Sequence, residues 1–307
     1  MSRKPDFFIV GAPKSGTTAL YNYLKLHPDI FLSPLKEPNF FASDMPFKKL
    51  WYNNKIENYL SWFSEAKNEK RIGEASVCYL QSVKSAKEIK KFCPEASIIV
   101  MLRNPVDQMY SRYKDLVFWG SEDITDFEKA LSAEKKRKTG KLSTRIINKK
   151  LLFYRDAANY YKHVKRYIDL FGIDKTHIII FDEFKDNPNK ILSDVLKFLE
   201  VDNTFKIDFH KFNTNRIINH NKKPRLLFVQ KMINQRPELI SKVIQAIFPR
   251  KVISTIAKYI SRLNTKYEPA TTMSPELREK LIKEFIPEIK KLSKLIKKEL
   301  SFWYSNK

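Results

Sequence analysis

The residues with the most telling chemical spacing stand in "GAPKSGTT", positions 11–18. A loop that holds a nucleoside triphosphate has the form G-x-x-x-x-G-K-[ST], in which the lysine after the second glycine reaches the β- and γ-phosphates and the hydroxyl holds magnesium. Gly11, Gly16 and Thr18 keep that register, but Thr17 occupies the lysine position and Lys14 lies three residues earlier, inside the turn. The backbone cradle is retained: loop amides and the start of the helix that follows still form an anion site. A cation projecting from mid-turn suits a nucleotide with a shorter 5′ anion and no metal. Lys14, Ser15, Gly16, Thr17 and Thr18 are therefore candidate nucleotide ligands.

A second constellation begins at "MLRNPVDQMYSRY", where Arg103 leaves an apolar run and Ser111 follows eight residues later. That separation is about two helical turns. A guanidinium fork together with a hydroxyl is well matched to a phosphate monoester. For a general base the sequence offers Glu37 in "KEPNFF", amid cations and aromatics, and Glu74 in "GEASVCYL", just after a short strand. Glu37 is the first choice and Glu74 the second. His27, in "LHPDI", reads as a helix-ending residue.

These groups need a scaffold. The runs "DFFIVG" (6–11), "SIIVML" (97–102) and "THIIIF" (176–181) are short, apolar and β-branched, as buried strands are. Each leads toward a helical pattern, with Pro105 and Pro188 suited to first helical turns. Strand, turn and helix repeated predict an α/β fold, a mostly parallel central sheet flanked by helices, with its ligand at the carboxyl ends of the strands. The absence of repeats and low-complexity linkers favours a single domain over 1–307, its part from 205 onward mainly helical.

Lys and Arg number 58 against 34 Asp and Glu, a formal charge of +24 that calls for an anionic partner or reflects a Lys-, Asn- and Ile-rich bias. Between 211 and 262 there are twelve Lys or Arg and one acid, Glu238. Within it, residues 239–263 carry apolar positions at helical spacing on both sides of Pro249, with basic residues between them. Two readings stay open: helices packed on the sheet with a solvated basic face, or a helical lid in peripheral contact with an anionic membrane. No apolar run approaches the ~20 residues that span a bilayer, and no secretory h-region follows "MSRKPD". Cys78 and Cys93 form neither a metal-ligand pattern nor a disulfide framework, so a soluble chain in the reducing cytoplasm is expected.

Taken together, "VGAPKSGTTALYNYLKLHPDI", "KEPNFF", "GEASVCYL" and "IIVMLRNPVDQMYSRY" resemble the sulfotransferase family, in the flavour of its bacterial and glycosaminoglycan-modifying branch. The resemblance is strong over 6–120 and weak over 200–265. It implies 3′-phosphoadenosine 5′-phosphosulfate (PAPS) as cosubstrate, adenosine 3′,5′-bisphosphate as product, and no metal. The family's 5′-phosphosulfate loop matches Lys14 to Thr18, and its 3′-phosphate site matches Arg103 and Ser111. Glu37 stands where that branch has its catalytic glutamate, and Lys14 would stabilise charge growing on the bridging oxygen. The chain departs from the branch at Asn39, where relatives have His, and at Ala75-Ser76, where they have Lys-Thr. It also lacks the usual disulfide and a clear glycine-rich loop; the basic loop "HNKKPR" (220–225), with Lys222, Lys223 and Arg225, is the expected substitute at the 3′-phosphate. The acceptor implied is a hydroxyl or amine of a glycan, glycolipid or small natural product. A basic nucleotide or nucleic-acid binding protein without catalysis, and a P-loop kinase, remain alternatives, although no nucleic-acid-binding signature accompanies the charge.

Overall fold

"FFIVG" is apolar throughout because its strand is covered on both faces: β1 (Phe7–Gly11) is buried at every position. The computed structural model describes residues 3–45, 55–142, 148–206, 220–234, 250–269 and 272–305. It packs as two compact units, one of Met1–Met109, Arg155–Phe209 and Glu279–Lys307, the other of Tyr110–Tyr154 and His210–Arg278.

The first unit is built on a five-stranded sheet. After β1 come β2 (Ile30–Leu32), β3 (Arg71–Ala75), β4 (Ser97–Leu102) and β5 (Thr176–Ile180), in spatial order β2-β3-β1-β4-β5, with every neighbouring pair parallel. The three runs singled out by hydropathy are β1, β4 and β5. β3 escapes that pattern because it contains Arg71, Gly73 and Glu74, so Glu74 lies inside a strand and not just after one. Arg71 is accommodated at the strand's start by donating to Asp6 Oδ1 at 2.8 Å, Leu199 O at 2.9 Å and Ser97 Oγ at 2.8 Å.

Helix α1 (Thr17–Leu24) follows β1 directly. Three more helices follow along the chain: α2 (Ile56–Leu60), α3 (Ser85–Phe92) and α4 (Pro105–Phe118), the last opened by Pro105 with Asn104 Oδ1 accepting from Val106 N at 3.0 Å. Beyond α5 (Phe127–Lys138), α6 (Tyr154–Ala158), α7 (Tyr160–Phe171) and α8 (Phe181–Asp186), helix α9 (Pro188–Phe198) starts on Pro188, with the Asn187 side chain accepting from Lys190 N at 3.1 Å. Ile191, Leu192, Val195 and Leu196 of α9 join Phe7, Ile9, Leu20, Leu24, Ile99 and Met101 in one core. Truncating such a Leu to Ala typically removes about 2–5 kcal/mol, so the core holds the strand ends firmly.

The closing helix, Pro275–Ile296, buries Leu281, Phe285, Ile289, Leu292 and Ile296, one residue every three or four. Trp303 beyond it is buried; its indole Nε1 donates to Asp182 Oδ2 at 3.0 Å and its carbonyl accepts from Asn104 Nδ2 at 2.8 Å. Trp303 is thereby tied to the loop after β4 and to helix α8 after β5.

In the second unit "HNKKP" is not a loop. It is strand β6 (His220–Pro224), paired antiparallel with β7 (Thr265–Pro269). Neither strand alternates in hydropathy, and the partners lie some forty residues apart, so only tertiary pairing reveals them. Helices Leu227–Asn234 and Arg250–Leu263 lie between the two strands in sequence. The helix proposed over 239–249 falls outside the described residues.

Candidate active site

Strands β3 and β4 flank β1, so the loops leaving their carboxyl ends converge where a parallel sheet places its ligands. Gly11 ends β1 against the turn that follows β3. A Cβ there would come 2.8 Å from both Leu80 Cβ and Val77 O, so only glycine allows the approach. Leu80 N and Ser76 N donate to Val10 O and Ile9 O at 2.8 and 3.0 Å, fixing the turn beside the loop.

Within the loop, Ala12 N donates to Met101 O at 2.7 Å and Gln108 Nε2 to Pro13 O at 3.1 Å. Gly16, in the left-handed region at φ 88°, caps α1 without a side-chain hydrogen bond. The Thr17 and Thr18 amides precede the first intrahelical bonds, which run from Ala19 N and Leu20 N to Gly16 O at 3.0 and 3.2 Å, and lie at the positive end of the helix dipole. A Cβ on Gly16 would sit 2.9 Å from the Phe181 ring. Ser15 is buried, and its Oγ has no hydrogen-bond partner among the described residues. An orphaned buried hydroxyl, open amides and a glycine cradle together fit a phosphate-like anion.

Arg103, just past β4, donates from Nη1 to Lys14 O at 3.3 Å and lies over the Phe181 ring, 5.0 Å from its centroid. One residue thus braces the lysine-bearing turn and carries a guanidinium beside it. Phe181, the first residue after β5, touches both Gly16 and Arg103. Sequence reasoning passed over Phe181 and Gln108, although an aromatic directly after a parallel strand was a usable signal.

The "KEPNFF" segment is strapped to the end of β3. Glu37 N donates to Ala75 O at 2.8 Å, Asn39 N to Ser76 Oγ at 3.0 Å and Phe41 N to the Tyr79 hydroxyl at 3.2 Å. Asn39 spends its side chain locally: Nδ2 donates to Glu37 O at 2.9 Å, and Oδ1 accepts from Cys78 Sγ at 2.8 Å. Glu37 itself is exposed, its Oε1 2.6 Å from Lys36 Nζ.

Glu74 has the opposite environment. It is fully buried and accepts from the Tyr59 hydroxyl at 2.6 Å through Oε2. Its Oε1 has no partner of hydrogen-bonding geometry among the described residues. Burial pushes its carboxyl up to about 7, against the opposing pull of hydrogen bonding toward Tyr59, Tyr79 and Ser76. Desolvation, with Glu74's charge second, also drives the Tyr79 hydroxyl well above its ordinary value. Tyr59 and Tyr79 escaped the sequence reading because nothing local distinguishes them from core aromatics.

Backbone strain marks the same loops. Five non-glycine residues among those described have positive φ: Lys14, Glu37, Asn39, Glu200 and Lys297. The last two stand just past the ends of α9 and the closing helix, where a left-handed residue is routine. Lys14 at 65°, Glu37 at 65° and Asn39 at 58° have no such explanation. Strain of this kind, of order 1–3 kcal/mol per residue, concentrates at ligand sites.

A model described as the sulfotransferase family matches residues 5–205, well over half of the chain. The chain belongs to the sulfotransferase family. A solved sulfotransferase from Alicyclobacillus acidocaldarius is 29% identical, with a TM-score of 0.72 over 99% of this chain and 100% of that one. Among curated relatives, this chain is 26% identical over 207 residues to bifunctional heparan sulfate N-deacetylase/N-sulfotransferase 1 of Caenorhabditis briggsae, covering 64% of this chain and 23% of that protein. It is 23% identical over 287 residues to membrane-associated sulfotransferase kil1 of Dictyostelium discoideum, covering 70% and 59%. The chain therefore spans less than two thirds of the length of either relative. The alternatives of a P-loop kinase and a non-catalytic nucleic-acid binder are not favoured by these matches.

The remaining candidates lie in the second unit. Ser111 is on α4. Lys222 and Lys223 are on β6, where Lys223 Nζ pairs with Glu268 Oε2 at 2.5 Å. Arg225 is exposed beyond that strand, its backbone N donating to Asn264 O at 2.6 Å. The sequence reading of "HNKKPR" as a basic loop is thus corrected to a paired strand and a pinned turn.

Proposed function

We propose that this chain transfers a sulfuryl group from PAPS to a hydroxyl or amine of a glycan, glycolipid or small natural product. The observation that carries the reading is the displaced Lys14, held left-handed in an otherwise intact phosphate cradle and braced by Arg103. The 5′ end of the nucleotide lies on the amides of Ser15 to Thr18 with the Ser15 and Thr18 hydroxyls. Arg103 takes the 3′-phosphate. In transfer, an acceptor oxygen or nitrogen bonds to sulfur while the bond from sulfur to the bridging oxygen breaks. Lys14 stabilises the charge left on that oxygen, and the acceptor proton passes to Glu37. Sulfuryl transfer, like phosphoryl transfer, rests on positioning and charge stabilisation; nothing in this assignment calls for a metal.

Exposure supports Glu37 as the base, because an acceptor can reach it. Burial and the Tyr59 bond give Glu74 a positioning role instead: it holds the β3 end on which Glu37 and Asn39 hang. A reducing, cytoplasmic compartment belongs to the same proposal, supported by two free and buried cysteines, and cell fractionation checks it.

The decisive experiment combines calorimetry with radiolabelled PAPS and an acceptor panel. Adenosine 3′,5′-bisphosphate should bind equally with and without magnesium, and label should pass to an acceptor. Glu37→Gln should keep bisphosphate binding and lose transfer. Failure to bind the bisphosphate would sink the nucleotide assignment; an active Glu37→Gln beside an inactive Glu74→Gln would move the base to Glu74.

A further inference from the structure

Pairing of β6 with β7, from His220↔Pro269 to Pro224↔Thr265, brings the start of helix Leu227–Asn234 beside the end of helix Arg250–Leu263. Asn264 pins this junction. Its Oδ1 accepts from Leu226 N at 2.8 Å, and its Nδ2 donates to Leu226 O at 3.0 Å and Gln230 Oε1 at 3.3 Å. Gln230 Nε2 in turn donates to Ser261 Oγ at 3.3 Å, and both Gln230 and Asn264 are buried.

The large apolar side chains are on the outside. Phe228 is 72% exposed, Tyr259 62% and Leu263 60%, with Leu226 and Met232 exposed as well. Along Arg250–Leu263, the residues Val252, Ile256, Tyr259, Ile260 and Leu263 recur at helical spacing on one face, and all five are exposed. Polar groups inside and apolar groups outside invert the usual order of a water-facing helix pair, and contiguous exposed apolar surface of this kind marks an interaction site.

Charge identifies the occupant. Segments 220–234 and 250–269 together hold nine Lys or Arg and one acid, Glu268. Two copies of so basic a face repel one another, which argues against self-association. An anionic bilayer offers both apolar depth and countercharge, and helices with an apolar face flanked by Lys and Arg lie flat in its interface. Among the described residues no helix is long and apolar enough to cross a membrane. We propose that the exposed face of helices Leu227–Asn234 and Arg250–Leu263 is a docking surface for an anionic lipid bilayer, with the Val252–Leu263 stripe entering the interface.

The test is co-sedimentation of the full chain with vesicles of phosphatidylcholine alone or with added phosphatidylserine. Binding should require the anionic lipid and weaken as salt rises. Ile256→Glu with Leu263→Glu should reduce it by about tenfold or more, because two side chains no longer partition. In parallel, Tyr259→Trp should show a blue-shifted emission on anionic vesicles and quenching by brominated acyl chains, a readout that does not depend on the double variant folding. An unshifted, unquenched tryptophan on sedimented protein would overturn the proposal, as would equal binding to uncharged vesicles. A concentration-dependent dimer abolished by the same substitutions, without vesicle binding, would assign the face to a second copy instead.

Discussion

At the strand ends of the first unit, apolar side chains are inside and the strain is carried by three polar residues, Lys14, Glu37 and Asn39. The paired helices of the second unit reverse the arrangement, burying Gln230 and Asn264 and exposing Phe228, Tyr259 and Leu263. Both regions break a rule, but different ones. A strained polar loop on a firm core stores conformational energy that a small ligand can use. An apolar face on a polar seam stores surface energy that only an extended partner can recover.

The contrast is tested most severely at Lys14. Lys14→Ala is expected to lower kcat about a hundredfold or more through loss of a transition-state cation, while part of the nucleotide affinity remains on the backbone amides. Lys14→Gly should be equally slow yet no less stable, because glycine adopts the left-handed turn freely. A glycine variant near wild-type kcat would show that the turn, and not the charge, matters.

Gly16→Ala comes next. Its Cβ would meet the Phe181 ring at 2.9 Å with φ at 88°, and a loss of about 2–3 kcal/mol in urea unfolding is expected from strain plus displacement. Bisphosphate affinity should fall in the same variant, since the helix start and the Arg103 platform both rest on that contact. Unchanged stability and affinity would mean that the cradle is not rigid.

Glu74 gives a pH signature. Its carboxyl rises from an ordinary 4.5 to about 7 on folding, chiefly by desolvation. Below pH 4.5 it is protonated in both states. Between 4.5 and 7 the folded state binds more protons, so this group's contribution to stability is lost as pH rises through about 7. The loss amounts to about 3 kcal/mol at roughly 1.4 kcal/mol per pH unit. Comparing Glu74→Gln with wild type at pH 5 and pH 8, the variant should gain about that much relative stability at the higher pH. Parallel pH profiles would show that Glu74 is not desolvated.

The smallest effect is expected in the second unit. Ile256→Glu removes an exposed side chain and should change unfolding free energy by no more than about 0.5 kcal/mol, in contrast to core truncations in the first. A large destabilisation would mean that the stripe is covered by the chain itself and is no docking face.

Much of the first unit was legible in the sequence because its signals are local. β1, β4 and β5 announce themselves as continuous apolar runs, Pro105 and Pro188 open their helices, and the offset of Lys14 from the triphosphate pattern is visible in eight consecutive letters. His27, read as a helix-ending residue, does serve structure: it is buried, with Nε2 2.8 Å from Asp202 O and Nδ1 accepting from Asp29 N at 3.1 Å. β3 was obscured because its arginine and glutamate find partners 26 to 128 residues away in the case of Arg71, and a tyrosine 15 away in the case of Glu74.

What the sequence alone determined is the parallel α/β scaffold and the family, since strand hydropathy, turn chemistry and motif spacing are written in neighbouring residues. Tertiary structure decided the rest. It separated two similar glutamates into an exposed carboxylate and a buried acid near pKa 7, since desolvation is a property of surroundings and not of residue type. It also turned "HNKKP" from a loop into a strand by supplying "TKYEP" as its partner. And it put the apolar stripe of Arg250–Leu263 outside, where periodicity could show that the helix has a face but not which way the face turns.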